Sequence, residues 1–309
     1  MSLFVVTGGA GFIGSHLADS LLGGGHQVRV VDDLSTGHRR NLDPRVELLV
    51  GDVADPALMG RALQGAAGVF HLAAIASVAR SNEDWLGTHR ANQTGTITVL
   101  DAARQQGGIP VVYASSAAIY GDQGEGAIDE GAIPAPNTAY GADKLGSELH
   151  ARVAFHVHRV PTMGFRFFNV FGPRQDPASP YSGVISIFAA RIAAGLPLTL
   201  HGDGLQTRDF VYVEDVVSHL RAGMKVLPAA PQATVFNVCT GRATSVLELA
   251  QALARIDGRP LATSFGPARA GDIRASLGDP SAATAVLGVR ATTSLETGLA
   301  ATVGSMAAA

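Results

Sequence analysis

The chain has 309 residues, and its charge is nearly balanced, with 23 lysine and arginine residues against 26 aspartate and glutamate residues. This length is enough to bury a large core, in one large domain or in two unequal ones. The near balance of charge excludes the strongly basic surface that attracts nucleic acids or anionic membranes. The single cysteine, Cys239, excludes an internal disulfide and a cysteine-rich metal site.

No targeting or membrane-spanning segment is expected. The N-terminus lacks the basic flank of a signal peptide, and the longest apolar stretch, around 184–200, is interrupted by Arg191. Cys239 lies in an apolar, strand-like run, which favours a buried structural thiol. The ten histidines show no metal-ligand spacing. We therefore expect a cytoplasmic protein without a metal and without nucleic acid or membrane partners.

The first predicted element is a strand that runs into a glycine-rich turn. The apolar residues 3–6 precede the sequence TGGAGFIG at 7–14, and a helical pattern follows at 15–22. A helix that begins there directs its backbone N–H groups and the positive end of its dipole at a pyrophosphate. Glycine allows the tight turn, the approach of the phosphate and the packing of helix on strand. The predicted dinucleotide contacts here are Gly8, Gly11, Phe12, Ile13 and Gly14.

The second predicted strand ends in two acidic residues. Residues 27–31 are strand-like and lead into Asp32 and Asp33. A carboxylate at this position accepts hydrogen bonds from the adenosine ribose and repels a 2′-phosphate, which favours NAD over NADP. Arg39 and Arg40 are better explained as part of a solvated loop.

Strand and helix patterns alternate through the first half of the chain. Because the strands are apolar throughout, they predict a parallel sheet covered on both faces, with ligands beyond the carboxyl ends of the strands. The fold class is therefore α/β, a Rossmann-type doubly wound parallel sheet. The predicted strands are 3–7, 27–32, 46–50, 68–72, 110–115 and 162–168, and the main predicted helices are 85–106 and 140–158.

After residue 171, prolines and glycines divide the chain into short elements. This change predicts a smaller, interleaved C-terminal substrate-binding region. Phe210–Val213 and Val235–Thr240 look like strands that return to the main sheet. The predicted domains are therefore 1–170 with 210–241 for NAD, and 171–209 with 242–309 for the substrate.

A tyrosine and a lysine four residues apart are the second strong signal. Tyr140 and Lys144 share one face of the predicted helix, so the ammonium can lie beside the phenol. A tyrosine with its usual pKa of about 10 is a poor base at neutral pH. Lys144 and an oxidised nicotinamide are expected to lower that pKa. Ser115 and Ser116 follow a strand, and a serine hydroxyl there can relay a proton to the tyrosine.

On these motifs the chain resembles the extended short-chain dehydrogenase/reductase family and, within it, the UDP-sugar 4-epimerases of the UDP-glucose 4-epimerase type. The resemblance runs nearly end to end. Further motifs that carry it are Asp32–Gly37, Gly51–Val53, His71–Ala74, Asn92, Ser115–Gly121, Arg166–Asn169, Gly202–Gly204, Thr207–Val211 and Arg269–Asp272.

The resemblance implies roles for these positions. Ser116, Tyr140 and Lys144 are implied to be catalytic, and NAD to be a cofactor that stays bound. Beyond the glycine turn, the implied NAD contacts are Asp32, Asp33, Ser35, Thr36, Gly37, Asp52, Val53, Leu72, Ala73, Ala74, Asn92, Ala114, Tyr140, Lys144, Phe167 and Asn169. The implied UDP-sugar contacts are Ser77, Ser116, Tyr140, Asn169, Gln175, Val184, Leu200, His201, Arg208, Arg269, Asp272 and Ser276.

The implied reaction is a transient oxidation at C4 of the sugar, with Tyr140 as base and Ser116 as relay. The family also implies a homodimer that packs the helices at 85–106 and 140–158 of each subunit into a bundle. Two guanidiniums, Arg208 and Arg269, suit a diphosphate. His71, at the end of an apolar strand, is better explained by packing than by catalysis.

Several alternatives stay open. Sugar-nucleotide dehydratases and decarboxylases of this family carry acidic groups where this chain has Ala117 and Ala118, which disfavours both, and a ketosugar reductase remains a weaker alternative. Ser276 falls where a tyrosine restricts some epimerases to UDP-glucose and UDP-galactose, so UDP-GlcNAc is an expected substrate. Arg174 could pair with the carboxylate of UDP-glucuronate. A dinucleotide-binding sensor without turnover is the remote alternative, since such a role predicts an eroded Tyr–Lys pair.

Overall fold

The computed structural model describes residues 1–175, 183–268 and 273–307. Its strands are β1 (Leu3–Thr7), β2 (Gln27–Asp32), β3 (Glu47–Val50), β4 (Gly68–His71), β5 (Val111–Ser116), β6 (Ala127–Ile128), β7 (Thr162–Phe167), β8 (Asn169–Phe171), β9 (Leu198–His201), β10 (Thr207–Tyr212), β11 (Ala233–Val238), β12 (Ala243–Ser245), β13 (Thr263–Gly266) and β14 (Ala275–Gly278).

The α-helices are α1 (Phe12–Gly23), α2 (Pro56–Ala62), α3 (Val78–Glu83), α4 (Trp85–His89), α5 (Gly95–Gln105), α6 (Ala139–His158), α7 (Val184–Ala193), α8 (Val213–Val226), α9 (Val246–Asp257), α10 (Ser281–Leu287) and α11 (Leu295–Ala307). Single turns of 3₁₀-helix lie at Arg39–Asn41 and Ala117–Ile119, and a π-helical turn lies at Arg90–Thr94.

The main sheet contains seven parallel strands in the order β3-β2-β1-β4-β5-β7-β11. The chain moves outward from β1 through β2 to β3, then crosses back to place β4 on the other side of β1. This reversal is the topological switch point at which doubly wound sheets bind ligands. The predicted fold class is confirmed.

Apolar side chains cover both faces of this sheet. On one face they pack against α1, α8 and α10, and on the other against α2, α5 and α6. The strands are buried on both sides, which is why they read as continuous apolar runs in the sequence. The six predicted strands are confirmed, with ends that differ by no more than one residue.

A second sheet extends the fold beyond the carboxyl ends of the main strands. Its path is β12-β10-β14-β6, and β8 pairs with β10. Helices α7, α9 and α11 enclose their own apolar cluster beside it. A capping box, formed by Ser245 and Glu248, starts α9.

The prediction that Phe210–Val213 returns to the main sheet is wrong. Phe210 pairs with Asn169 of β8, and the preceding residues pair with β12 and β14. Asp209 holds this arrangement, because its buried carboxylate accepts hydrogen bonds from Thr240 and Gly241, just beyond β11. An apolar run predicts a strand but carries no information about the strand's partner.

The long helix predicted at 85–106 is divided into α4, the π-helical turn and α5. The predicted helix at 140–158 is confirmed as α6, which Thr138 caps at its N-terminus. Of the helices in the described part of the chain, none is long and apolar enough to cross a bilayer.

Candidate functional site

The carboxyl ends of the central strands bring the predicted motifs to one edge of the sheet. Thr7 pairs in register with His71, and Ser116 with Phe167. The glycine turn follows β1, Asp32 ends β2, and the serine pair ends β5. Residues far apart in the sequence therefore share one edge.

The glycine turn forms a cradle that only glycine allows. Gly8 has a φ of +67°, and a Cβ there would lie 2.7 Å from the amide nitrogen of Ala73. A Cβ at Gly14 would overlap the carbonyl oxygen of Gly8 and lie 2.7 Å from the Cα of Gly9. Gly11 caps α1 without a side-chain hydrogen bond, so the first N–H groups of the helix keep their donor capacity. This cradle fits the pyrophosphate of NAD.

Asp32 holds the backbone of the glycine turn and of the loop after β2 in place. Its two carboxylate oxygens accept hydrogen bonds from the backbone N–H groups of Ala10 and Leu34, each at 2.9 Å. Burial raises the pKa of Asp32, and these backbone bonds lower it in part. Asp33 instead accepts from Ser35 on an exposed loop, so the two adjacent acids differ in environment.

The other predicted NAD residues border the same edge. Asp52 forms an ion pair with Arg90 at 3.1 Å, and Val53 is buried beside it. The side-chain amide of Asn92 accepts a hydrogen bond from the backbone N–H of Ile75 and donates one to the backbone carbonyl of Ile75. It therefore shapes the loop after β4 from within the π-helical turn, a feature that is common at functional sites. The remaining predicted positions in this loop are Leu72, Ala73 and Ala74, and those in the loop after β2 are Thr36 and Gly37.

His71 is a satisfied packing residue, as the sequence predicts. Thr96 donates its hydroxyl proton to the carbonyl of Asn92 and so accepts from Nε2 of His71 at 3.1 Å. Nδ1 then accepts from the hydroxyl of Thr7 at 2.7 Å. Burial and the charge of Lys144 lower the pKa of His71 to about 3, so the ring is neutral.

Tyr140, Ser116 and Lys144 meet at the end of β5. The hydroxyl of Ser116 lies near enough to the phenol of Tyr140 to lower the pKa of the phenol. The Nζ of Lys144 donates to the carbonyl oxygen of Ala114 at 2.9 Å and lies 5.8 Å from the centroid of the Tyr140 ring. The three predicted catalytic side chains therefore lie together, with Tyr140 half-buried and Lys144 buried.

The electrostatics differ from the prediction that Lys144 lowers the pKa of Tyr140. Burial raises the pKa of Tyr140, and the hydroxyl of Ser116 lowers it in part. Burial also lowers the pKa of Lys144 to about 8, an effect that Asp143 partly offsets. The lysine points its charge at a backbone carbonyl, so the chain by itself does not produce the phenolate.

On the substrate side, Arg208 and Ser276 lie side by side. They are register partners on the parallel strands β10 and β14. The guanidinium of Arg208 donates to the carbonyls of Thr207 and Ile273, each at 2.8 Å, which fixes its direction. Two other residues predicted to bind the diphosphate or sugar, Arg269 and Asp272, lie outside the described residues.

The remaining predicted substrate residues are more dispersed. Gln175 accepts a hydrogen bond from Ser186 of α7, and Ser77 caps α3. His201 bonds to the carbonyl of Pro267, whereas Asn169 is exposed at the start of β8 and Val184 begins α7. Leu200 is wrong as a side-chain contact, because its side chain is fully buried in the cluster between α7 and α9.

Sequence reasoning missed one buried residue next to this site, Glu148. Ser115 donates a hydrogen bond to Glu148, which lies four residues after Lys144 on α6. The i, i+4 spacing was the signal that could have identified Glu148. Within the described residues, no group of three or more histidine, cysteine, aspartate or glutamate side chains could hold a metal ion.

Comparison with known proteins agrees with this geometry. Residues 4–239 match the NAD dependent epimerase/dehydratase family. The chain belongs to that family. A UDP-glucose 4-epimerase of Mycolicibacterium smegmatis is 38% identical over 307 residues, which cover 97% of this chain and 96% of the relative.

Solved structures of this epimerase/dehydratase family extend the likeness. The UDP-glucose 4-epimerase of Thermotoga maritima, solved with UDP-glucose, superposes with a TM-score of 0.93 at 36% identity and 99% coverage of both chains. A UDP-N-acetylglucosamine 4-epimerase of Methanobrevibacter ruminantium, solved with UDP-N-acetylmuramic acid, gives 0.94 at 30% identity, with 99% of this chain and 98% of the other covered. The likeness therefore extends over nearly the whole chain, and the family and these relatives make it an NAD-dependent enzyme of the isomerase type.

Gly14→Ala is expected to abolish retention of NAD, because the added methyl group overlaps the carbonyl of Gly8. Purified variant and wild type are denatured, and the released NAD is quantified. Gly23→Ala is the matched control, since a Cβ at the other end of α1 meets nothing within 4 Å. Equal NAD content in all three proteins would contradict the cradle assignment.

Lys144→Met is expected to reveal the lowered pKa of the lysine as a pH-dependent difference in stability. Burial lowers that pKa from 10.5 to about 8. Between these values the unfolded chain holds a proton that the folded protein has released, so the wild type gains stability relative to the variant as pH rises. Urea denaturation of both proteins across this range measures the difference, and a pH-independent difference would refute the shift.

Proposed function

We propose that the protein interconverts the C4 epimers of UDP-hexoses, namely UDP-glucose with UDP-galactose and UDP-GlcNAc with UDP-GalNAc. The reaction oxidises C4 transiently and reduces it again from the other face. The observation that carries this proposal is the meeting of Tyr140, Ser116 and Lys144 at the end of β5, where the Nζ of Lys144 donates to the carbonyl of Ala114 and lies 5.8 Å from the centroid of the Tyr140 ring. Similarity to UDP-sugar epimerases over nearly the whole chain supports the choice of substrate class.

The chain's own residues supply the proton chemistry. Tyr140 as phenolate removes the proton of the 4-hydroxyl, with Ser116 bonded to both oxygens as a relay. The same pair returns the proton when the 4-keto sugar, having turned in the site, is reduced. Lys144, held on the Ala114 carbonyl, contributes positive charge near the phenol.

Gly8, Gly11 and Gly14 would hold NAD on the cradle, and the bound cofactor would supply reversible hydride chemistry at C4. Since burial raises the pKa of Tyr140, the positive charge of the oxidised nicotinamide is the additional influence that favours the phenolate. We assign the diphosphate to Arg208, and the two backbone carbonyls that fix the direction of its guanidinium support this role.

Two alternatives are less well supported by the site. Ala117 and Ala118 form the short helix that Ser116 caps, and their methyl groups cannot exchange the protons that a dehydratase moves. Arg174, the residue that could bind the carboxylate of UDP-glucuronate, forms an ion pair with Asp19 of α1 at 2.7 Å. Neutral UDP-hexoses are therefore favoured over UDP-glucuronate.

The direct test incubates the purified protein separately with UDP-glucose, UDP-GlcNAc and UDP-glucuronate and resolves the C4 epimers by chromatography. We expect turnover of the first two and a loss of about 10²-fold or more in kcat for Tyr140→Phe, which removes the base. Tyr212→Phe is the matched control, because its ring packs against Phe171. Failure of the wild type to epimerise any of the three sugars would refute the proposed function.

Ser276→Tyr is expected to suppress epimerisation of UDP-GlcNAc while sparing UDP-glucose. A phenol beside Arg208 would fill space that a 2-acetamido group needs, whereas serine leaves that space free. The ratio of kcat/KM for the two sugars is the measurement, with Ser276→Ala as control. An unchanged ratio in the tyrosine variant would show that position 276 does not set specificity.

We also propose that the protein is a homodimer formed through α6 and its neighbours. Leu149, Val153 and Val157 recur every four residues on α6, and each is more than half exposed. Trp85 and Leu86, on the adjacent α4, are also exposed. Apolar stripes at helical spacing on neighbouring helices suit a helical bundle with a second copy.

Val153→Glu is expected to convert the dimer to a single chain of 31.7 kDa, because it places a charge within the apolar stripe. Sedimentation equilibrium measures the mass. Val286→Glu, at an equally exposed position on α10, should leave the mass unchanged. A wild-type mass of one chain would refute the dimer.

A further inference from the structure

One face of α6 meets three consecutive residues of β5. Tyr140 lies near the hydroxyl of Ser116, and the Nζ of Lys144 donates to the carbonyl of Ala114. Glu148, one further turn along, accepts a hydrogen bond from the hydroxyl of Ser115 at 2.5 Å. The face at i, i+4 and i+8 therefore lies against all three residues at the end of the strand.

Glu148 is held in place by Arg166 of β7. The guanidinium donates from Nε and from one terminal nitrogen to the two carboxylate oxygens, at 2.9 and 2.7 Å. Both side chains are less than a tenth exposed, and Arg166 is the register partner of Ser115 on the neighbouring strand. This two-pronged pairing fixes the plane of the carboxylate.

The same guanidinium connects through Tyr120 to β11, the edge strand next to β7. Its remaining terminal nitrogen donates to the hydroxyl of Tyr120 at 2.9 Å, and Tyr120 donates to Asn237 of β11 at 2.7 Å. Arg166 also lies over the Tyr120 ring, 5.0 Å from its centroid. A buried polar network thus links α6 with β5, β7 and β11, just beneath the catalytic serine.

Stability alone is a weak reason for such a network. Burying an ion pair costs desolvation that its attraction often fails to repay, and apolar residues of similar volume frequently serve as well. The network instead fixes the positions of α6, β5 and β7 relative to one another. Ser116 is the next residue of the chain and caps the short helix Ala117–Ile119, so holding Ser115 against α6 fixes the backbone from which the side chain of Ser116 extends.

We propose that Glu148, clamped by Arg166, is a positioning residue that acts through Ser115 to hold Ser116 against Tyr140. The inference rests on the proposed function, since it names what aligns that function's proton relay. Glu148 itself touches neither substrate nor cofactor. Misplacement of a reacting group by about 1 Å can cost about 10²-fold in rate, so a modest shift of β5 is sufficient to matter.

The test compares two hydroxyl deletions that each remove one bond between a strand and α6. Ser115→Ala removes the link to Glu148, at the residue before Ser116. Thr162→Val removes an equally buried link at the start of β7, the end of that strand away from Ser116, where the Thr162 hydroxyl donates to the carbonyl of Ala151 at 3.2 Å. We expect about a tenfold or greater loss of kcat in Ser115→Ala with KM nearly unchanged, and no such loss in Thr162→Val, although the two lose similar stability.

A second readout is independent of turnover. Tyrosinate absorbance is titrated for each protein and for its Tyr140→Phe counterpart, and the difference isolates Tyr140. Since the hydroxyl of Ser116 lowers the pKa of Tyr140, displacing it in Ser115→Ala should move that titration to higher pH. Glu148→Gln should show the same shift. If that variant does not fold, Ser115→Ala, which leaves the ion pair intact, decides the question.

An unshifted Tyr140 titration in Ser115→Ala, or equal kcat losses in Ser115→Ala and Thr162→Val, would overturn the positioning role. A wild type that epimerises no UDP-hexose would refute the proposed function instead. In that case the titration still judges the positioning claim, because it requires no sugar.

Discussion

The attachment of α6 to the end of β5 is the constraint on which the chemistry of this protein depends. A tyrosine can act as a base only if its phenol, its proton relay and the reacting hydroxyl are aligned within fractions of an ångström. Here Tyr140 comes from a helix and Ser116 from a strand. Their alignment is therefore a property of how the helix packs on the sheet, and the bonds from Lys144 and Glu148 to the same strand fix that packing.

The parallel sheet separates the binding of the cofactor from the chemistry and still keeps the two adjacent. Strands β1 to β3 carry the glycine cradle and Asp32, on one side of the switch point. Strands β4, β5 and β7 carry the loop after His71 and the proposed catalytic residue Ser116 on the other side. A dinucleotide bound at this edge would be held at its pyrophosphate by the N-terminus of α1. The edge thus organises the site before any individual contact is considered.

Buried charged side chains at this site have hydrogen-bonding partners. Arg166 and Glu148 neutralise each other, and Asp209 is surrounded by N–H and hydroxyl donors. Lys144 donates a hydrogen bond to the backbone carbonyl of Ala114, and burial lowers the pKa of the lysine to about 8. The pKa of a buried lysine changes readily with neighbouring charges, and this property suits a residue that works beside a phenol and a cationic ring.

Local pattern was sufficient for most of the fold and for part of the site. The strands of the main sheet follow from apolar runs, and the glycine cradle follows from the turn that only Gly8 and Gly14 permit. Tyr140 and Lys144 follow from helical spacing. These features depend on the backbone conformation of neighbouring residues, which is encoded locally.

Features that depend on the partner of each strand and side chain were decided by the tertiary structure. The sequence of β10 indicates a strand, but only its pairing with β8, β12 and β14 places Arg208 beside Ser276. The resemblance implies that Leu200 contacts the UDP-sugar, but its side chain is fully buried. The pKa of Tyr140 is raised because burial, which no spacing reveals, outweighs the effect of the Ser116 hydroxyl. The sequence by itself therefore determined the elements and the class of cofactor, whereas long-range packing decided how the catalytic groups are aligned and charged.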